Sequence, residues 1–193
     1  MRKVSIFGAT GSIGQNTIDL IKRAPDNYDV VALTGASNIK QLAEDAKALN
    51  AHIAVTADAA KLPQLRAALE GSGVEAAAGA QAITEAAHRP ADWIMSAIVG
   101  AAGLAPGMAA LAQGTTLALA NKESLVCAGK LLLETCRAHD AEILPVDSEH
   151  SAIFQALVGE PMDAVERIII TASGGAFRDW PLADLPNATL AQA

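Results

Sequence analysis

The 193-residue sequence predicts an α/β protein built on a parallel β-sheet with helices on both faces, and three observations carry that expectation. Short apolar or β-branched runs alternate with alanine-rich stretches of helical length. A glycine-rich turn stands between the first such run and the first helical stretch. Hydrophobic residues make up 51% of the sequence and charged residues 18%, a composition that buries an ordinary core without disulfide staples. Much of the apolar content is alanine, which favours helices and lets them lie close on a sheet.

In order, the strands are expected at residues 3–7, 29–34, 52–56, around 73–76, then 92–97 and 115–119. Helices fall between them at 12–23, 39–50, 59–70, around 80–88 and at 104–113. A helix from the 120–123 turn to about 139 leads to a strand at 142–146, a helix at 151–158 and a strand at 165–171. The last stretch, 179–193, holds Pro181, Pro186 and Asn187 and does not read as a finished domain. Domains are accordingly expected at 1–144 and 145–193.

The 14 Lys+Arg against 21 Asp+Glu give a net charge of −7, and with 3% aromatic residues they argue against a nucleic-acid partner. The basic pair Arg2-Lys3 is followed almost at once by glycines, so no export signal is read. The longest apolar stretch, 93–112, is broken by glycines and a proline, so no membrane span is expected. Cys127 and Cys136 share one expected helix and cannot face each other, which excludes a disulfide or zinc framework and suits a cytoplasmic protein.

Gly8-Ala9-Thr10-Gly11-Ser12-Ile13-Gly14 follows the first strand and opens the first helix, the context that lifts a glycine pattern above background. Gly8 permits the tight turn, Gly11 lets the backbone approach a pyrophosphate, and Gly14 allows close helix packing. The N–H groups of Ser12 and Ile13 meet an anion at the helix N-terminus. A Rossmann-like doubly wound sheet binding a dinucleotide is the expected result. At the end of the second strand, an acid would take the ribose hydroxyls of NAD and repel an added phosphate. Here stand Gly35, Ala36, Ser37 and Asn38, with Lys40 nearby, and the nearest acid, Asp29, lies at the strand's other end. NADPH is favoured over NADH, although Ser37 or Asn38 also reads simply as a helix N-cap.

Asp147-Ser148-Glu149 follows an apolar strand at the sheet's carboxyl end. Residues two apart in an extended segment point the same way, and a pair of carboxylates suits Mg²⁺ or Mn²⁺. Capping of a surface helix by Asp147 or Ser148 is the competing reading. Lys122, in Asn121-Lys122-Glu123, also follows a strand end and could meet a substrate phosphate or carbonyl, or simply start a helix. Ser173-Gly174-Gly175 reads equally as an anion-binding nest or a flexible turn. A different small NADP oxidoreductase would need a Tyr-x-x-x-Lys pair, and the single tyrosine, Tyr28, has Ala32 four residues on.

GATGSIG at 8–14, SAIVGAAGL at 96–104, ALANKESLV at 118–126, PVDSEHSAIFQ at 145–155 and TASGGAFR at 171–178 together resemble the deoxyxylulose phosphate reductoisomerase family. The five motifs occur in the right order and span nearly the whole chain. The resemblance implies an NADPH- and divalent-metal-dependent enzyme of non-mevalonate isoprenoid biosynthesis, with 145–193 beginning an α+β catalytic domain and a homodimer in the full-length protein. It implies cofactor contacts at Thr10, Gly11, Ser12, Ile13, Gly35, Ala36, Ser37, Asn38, Asn121 and Glu123. Metal ligation is implied at Asp147 and Glu149, substrate contact at Lys122, Ser148, Glu149 and Ser173, and catalytic roles at Lys122 and Glu149. The substrate implied is a phosphorylated sugar.

Two departures from the family pattern stand out. Members often carry a basic residue matching Ala36 or Ser37, for which Lys40 is the only nearby substitute in the sequence. They also continue with an HPNW-like segment, phosphate-binding residues, a further metal carboxylate and a helical domain, so an NADPH-binding module with little or no turnover is the expectation for these 193 residues.

Overall fold

The computed structural model describes residues 1–171 and 175–192. Its chain divides into two units, Met1–Val146 and Asp147–Ala193.

The first unit is a seven-stranded sheet, every strand pair parallel. Its strands are β1 (Arg2–Phe7), β2 (Tyr28–Gly35), β3 (Ile53–Thr56), β4 (Glu75–Ala78), β5 (Trp93–Ser96), β6 (Thr116–Leu119) and β7 (Ile143–Pro145). They lie in the order β4-β3-β2-β1-β5-β6-β7. The chain runs outward from β1 to β4, then crosses to β5 and runs outward the other way. β1 is therefore the switch point, and open α/β sheets bind ligands beyond the carboxyl ends of strands at that point.

Side-chain alternation along the strands divides the core in two. On one face Val4, Ile6, Met95 and Ala118 pack with Ile18 and Ile21 of α1 (Ser12–Arg23), Leu42 and Ala46 of α2 (Ile39–Ala48), and Leu65 and Leu69 of α3 (Leu62–Leu69). On the other, Phe7, Val55, Ile94 and Leu117 pack with Ile83 of α4 (Ala80–Ala87), Leu111 of α5 (Leu104–Leu111) and Leu132 of α6 (Lys122–Ala138). The expected helix at 59–70 is a 3-10 turn, Ala59–Lys61, followed by α3, because Asp58 caps the turn and Pro63 lies in the first helical turn.

In the second unit α7 runs Ser148–Leu157, three residues earlier than the sequence reading, because Asp147 caps it. The expected strand at 165–171 is not formed; after a 3-10 turn at Met162–Ala164 the chain has no regular structure through 171. Strands are stable as members of a sheet, and among the described residues this unit has no other strand to pair with. Ile168, Ile169 and Ile170 are exposed in consequence.

Candidate functional site

The turn after β1 is shaped by three glycines with different physical demands. Gly8 has φ +88°, and a Cβ there would come within 2.5 Å of the Ala97 carbonyl oxygen. A Cβ on Gly14 would meet the Gly8 oxygen and sit 2.6 Å from Ala9 Cα, so only glycine lets α1 begin this close to the loop. Gly11 differs. A Cβ there would find only the Gly8 oxygen, at 3.4 Å, so the fold itself makes no steric demand for glycine at this exposed position. Glycine also suits this position as the N-cap of the helix that starts at Ser12, and close approach of something outside the protein is a second reason for it.

The loop is held from behind. Gly8 N–H donates to the Thr34 hydroxyl at 3.1 Å and Ala9 N–H to the Thr34 carbonyl at 2.7 Å, tying it to β2. Gln15 Nε2 donates to the Ala9 carbonyl at 2.9 Å and to Asp45 Oδ2 at 2.7 Å. Asp45 is buried on α2, where its carboxylate also accepts from Gln41 Nε2 at 2.9 Å and Lys22 Nζ at 3.0 Å. Sequence reasoning missed Gln15 and Asp45. The signal was available, because Asp45 falls on the same helical stripe as Leu42 and Ala46, where a charge needs partners.

Gly11 is the N-cap of α1 and makes no side-chain capping bond. The first-turn N–H groups of Ser12 and Ile13 have no partner within the helix and lie at the solvent end. Gly8 and Thr10 of the same turn line a cavity of about 440 Å³ together with Gly35, Ala36, Ile98 and Val99, among others, whereas Gly11, Ser12 and Ile13 are not part of its lining. Of the residues expected to meet a dinucleotide, the structure brings Thr10, Gly35 and Ala36 to this one cavity.

Beyond β2, Asn38 caps α2 by accepting from Gln41 N–H at 3.3 Å, as one of the two readings had it. The Ala36 carbonyl accepts from the Thr56 hydroxyl at 2.6 Å and the Ser37 carbonyl from Lys61 Nζ at 2.9 Å. The view that Lys40 is the only nearby base is corrected here. Lys40 is 85% exposed and lies 4.0 Å from Glu44 along its own helix, whereas Lys61 sits on the loop itself. Lys61 is distant in sequence, but β3 neighbours β2, so residues that follow one strand adjoin residues that follow the other. Asp29 stands at the opposite end of β2, paired with His52 Nε2 at 2.7 Å.

At the end of β6, Asn121 is buried and its side chain is fully engaged. Its Oδ1 caps α6 by accepting from Ser124 N–H at 3.0 Å, and its Nδ2 donates to the carbonyls of Ile98 and Gly100, the latter at 2.8 Å. The side chain thus braces the 98–100 segment that borders the cavity, and a ligand contact through it would break these bonds. Lys122, exposed, and Glu123, half-buried, form the first turn of α6.

In the second unit, Asp147 Oδ1 accepts from both the N–H of His150, at 2.9 Å, and its ring Nδ1, at 2.7 Å. Partial burial opposes ionisation of Asp147, but the His150 backbone and ring bonds outweigh it and hold this carboxyl below the ordinary value of 3.8. It is a carboxylate at neutral pH, with Oδ2 outside both bonds. Glu149 is exposed and accepts from the Ser148 hydroxyl at 2.9 Å. Strand-like alternation is not what places this pair, because α7 begins between them; Asp147 is the cap and Glu149 lies in the first turn. No group of three potential metal-ligating side chains occurs among the described residues. Ser173 lies outside the described residues.

A glycine turn at the switch point of a parallel sheet, opening a helix beside a cavity, defines a Rossmann-like doubly wound α/β protein. The chain belongs to the 1-deoxy-D-xylulose 5-phosphate reductoisomerase family, whose model matches residues 4–129, while the C-terminal-domain model of the same family matches 143–193. The chain is 75% identical over 193 residues to the 1-deoxy-D-xylulose 5-phosphate reductoisomerase of Ruegeria pomeroyi and 76% over 192 to that of a Jannaschia species. All of the chain is covered in both cases, but it spans only about half the length of these curated relatives, 49% of each. Among solved structures, the Zymomonas mobilis enzyme in complex with NADPH matches with a TM-score of 0.89 and 55% identity, over 95% of this chain and 49% of that one. A reductoisomerase in complex with NADPH, fosmidomycin and magnesium matches with a TM-score of 0.84 and 34% identity, over all of this chain and 50% of that one.

Proposed function

We propose that this chain forms part of an NADPH- and divalent-metal-dependent reductoisomerase that converts 1-deoxy-D-xylulose 5-phosphate to 2-C-methyl-D-erythritol 4-phosphate in isoprenoid biosynthesis. The observation that carries the cofactor half of this reading is Gly11. It has no steric reason within the fold to lack a side chain, and it stands at the start of a helix directly after Thr10, which lines a ligand-sized cavity. Family membership and the NADPH and magnesium complexes of similar structures support the same reading.

Residues 1–144 would then be the NADPH-binding domain and 145–193 the start of the catalytic domain. Thr10, Gly11, Ser12 and Ile13 would hold the pyrophosphate, chiefly through backbone N–H groups, and Gly35, Ala36, Ser37 and Asn38 would surround the adenosine phosphate. NADPH, when bound, supplies the hydride that reduces the rearranged aldehyde. Asp147 and Glu149 would hold Mg²⁺ or Mn²⁺, and such an ion supplies charge neutralisation at the substrate's oxygens. Asp147 fits that role because it is a carboxylate of which His150 engages one oxygen only. Lys122 and Ser148 would bind and orient the sugar phosphate, with Ser173 a third contact. Asn121 would act on the cofactor by bracing the 98–100 segment.

A cytoplasmic location is supported by the unpaired Cys127 and Cys136, which suit a reducing compartment, and no described helix is long and apolar enough to cross a membrane. A homodimer for the full-length protein rests on the family resemblance, and the acidic balance supports the absence of a nucleic-acid partner. The metal half is tested by Mn²⁺ titration followed by electron paramagnetic resonance. Glu149→Gln is expected to weaken Mn²⁺ binding about tenfold, and unchanged binding would remove Glu149 from the ligand set.

A further inference from the structure

We propose that Lys61 is the cation that recognises the adenosine 2′-phosphate of NADPH, an inference that rests on the dinucleotide reading above and assigns its specificity to a residue outside the glycine loop. A 2′-phosphate is a dianion that NADH lacks, so discrimination needs positive charge and donors beyond the carboxyl end of β2. Ser37 and Asn38 bring a hydroxyl and an amide there but no charge. Lys40 faces Glu44 and is spread along the solvent side of α2.

Lys61 differs in each respect. It is half-buried, its Nζ is fixed 2.9 Å from the Ser37 carbonyl oxygen, and among the described residues no carboxylate forms an ion pair with it. An ammonium carries three donors, so one bond to Ser37 leaves two for a ligand. The nearest acid on its own turn, Asp58, already accepts from Ala60 N–H at 3.0 Å as the turn's cap. The lysine is therefore held at the ribose end of the loop by its backbone contact, outside any ion pair among the described residues.

Calorimetric titration of the 193-residue chain with NADPH and with NADH tests this, alongside melting temperatures to establish that each variant is folded. Wild type is expected to prefer NADPH. Lys61→Met should weaken NADPH about tenfold while leaving NADH within about twofold, and Lys61→Arg should restore most of the NADPH affinity. Lys40→Met should change neither. If Lys61→Met keeps the wild-type preference, or weakens both cofactors equally, Lys61 only props the loop and the assignment is overturned. If wild type itself binds NADPH no better than NADH, the NADPH reading falls and this inference with it.

Discussion

Replacing Asp45 with alanine removes the buried carboxylate that ties α1 to α2 behind the glycine loop. Its side chain is 2% exposed and receives three donors, Lys22 Nζ at 3.0 Å, Gln15 Nε2 at 2.7 Å and Gln41 Nε2 at 2.9 Å. The lysine contributes little, because it is 45% exposed and its ammonium returns to water; a pair of that kind is worth about 0–1 kcal/mol. The two amide bonds to a charged acceptor carry more, about 1.5–3 kcal/mol each. Removing the carboxylate also relieves its own desolvation, which offsets part of that sum. A net loss of about 3 kcal/mol follows, equivalent to a melting temperature lower by about 6–12 °C in a chain of this size. Thermal unfolding followed by circular dichroism reads it directly. Asp45→Asn keeps the volume but turns an NH₂ toward donors, so it is expected to cost nearly as much. NADPH binding should also weaken severalfold, because Gln15 holds the Ala9 carbonyl with the same amide group. A melting temperature for Asp45→Ala within 2 °C of wild type would refute the reasoning, since the buried network would then contribute nothing.

Gly14→Ala drives a Cβ against backbone atoms of Gly8 and Ala9 that cannot swing aside, so a loss of more than about 3 kcal/mol in urea unfolding is expected. Asn121→Ala removes a helix cap and leaves the carbonyls of Ile98 and Gly100 without their donor; about 2–3 kcal/mol is expected in the same assay, and Asn121→Asp, which keeps the cap but turns a buried carboxylate oxygen toward those two carbonyls, should cost at least as much. Asp147 has a folded value below its unfolded one, so its contribution to α7 is present above the ordinary carboxyl value of 3.8 and is lost as pH falls through the lowered one. The protection factor of the Ser151 amide, with intrinsic exchange divided out, should fall across that acid range in wild type, and Asp147→Asn should abolish that fall.

The seven strands of the first unit were legible in number and order because each is a short apolar run bounded by turn signals. The strand expected at 165–171 has the same local signal in Ile168-Ile169-Ile170, yet it does not form, because strand formation depends on a neighbour that no local pattern supplies. Gly8 and Gly14 were legible for the reasons the structure gives them, a positive φ and a backbone approach too close for any Cβ. Lys61 was not, because its partner Ser37 is brought to it by the pairing of β2 with β3 rather than by spacing in the chain. Asn121 was expected to touch a cofactor, but its demand for four hydrogen-bonding partners is met by the 98–100 segment and the start of α6. For Asp147, the capping role and the proposed metal role were posed as alternatives. The cap uses one carboxylate oxygen, so the two are compatible.

The measurement that bears most directly on the account is calorimetric titration of NADPH into wild type and Gly11→Ala. The fold leaves room for this methyl group, and the poorer N-cap costs about 1 kcal/mol, so the variant should melt within about 5 °C of wild type and yet bind NADPH at least tenfold more weakly. A folded Gly11→Ala protein with wild-type NADPH affinity, or a wild-type chain that binds no NADPH, would contradict the claim that this turn cradles the dinucleotide.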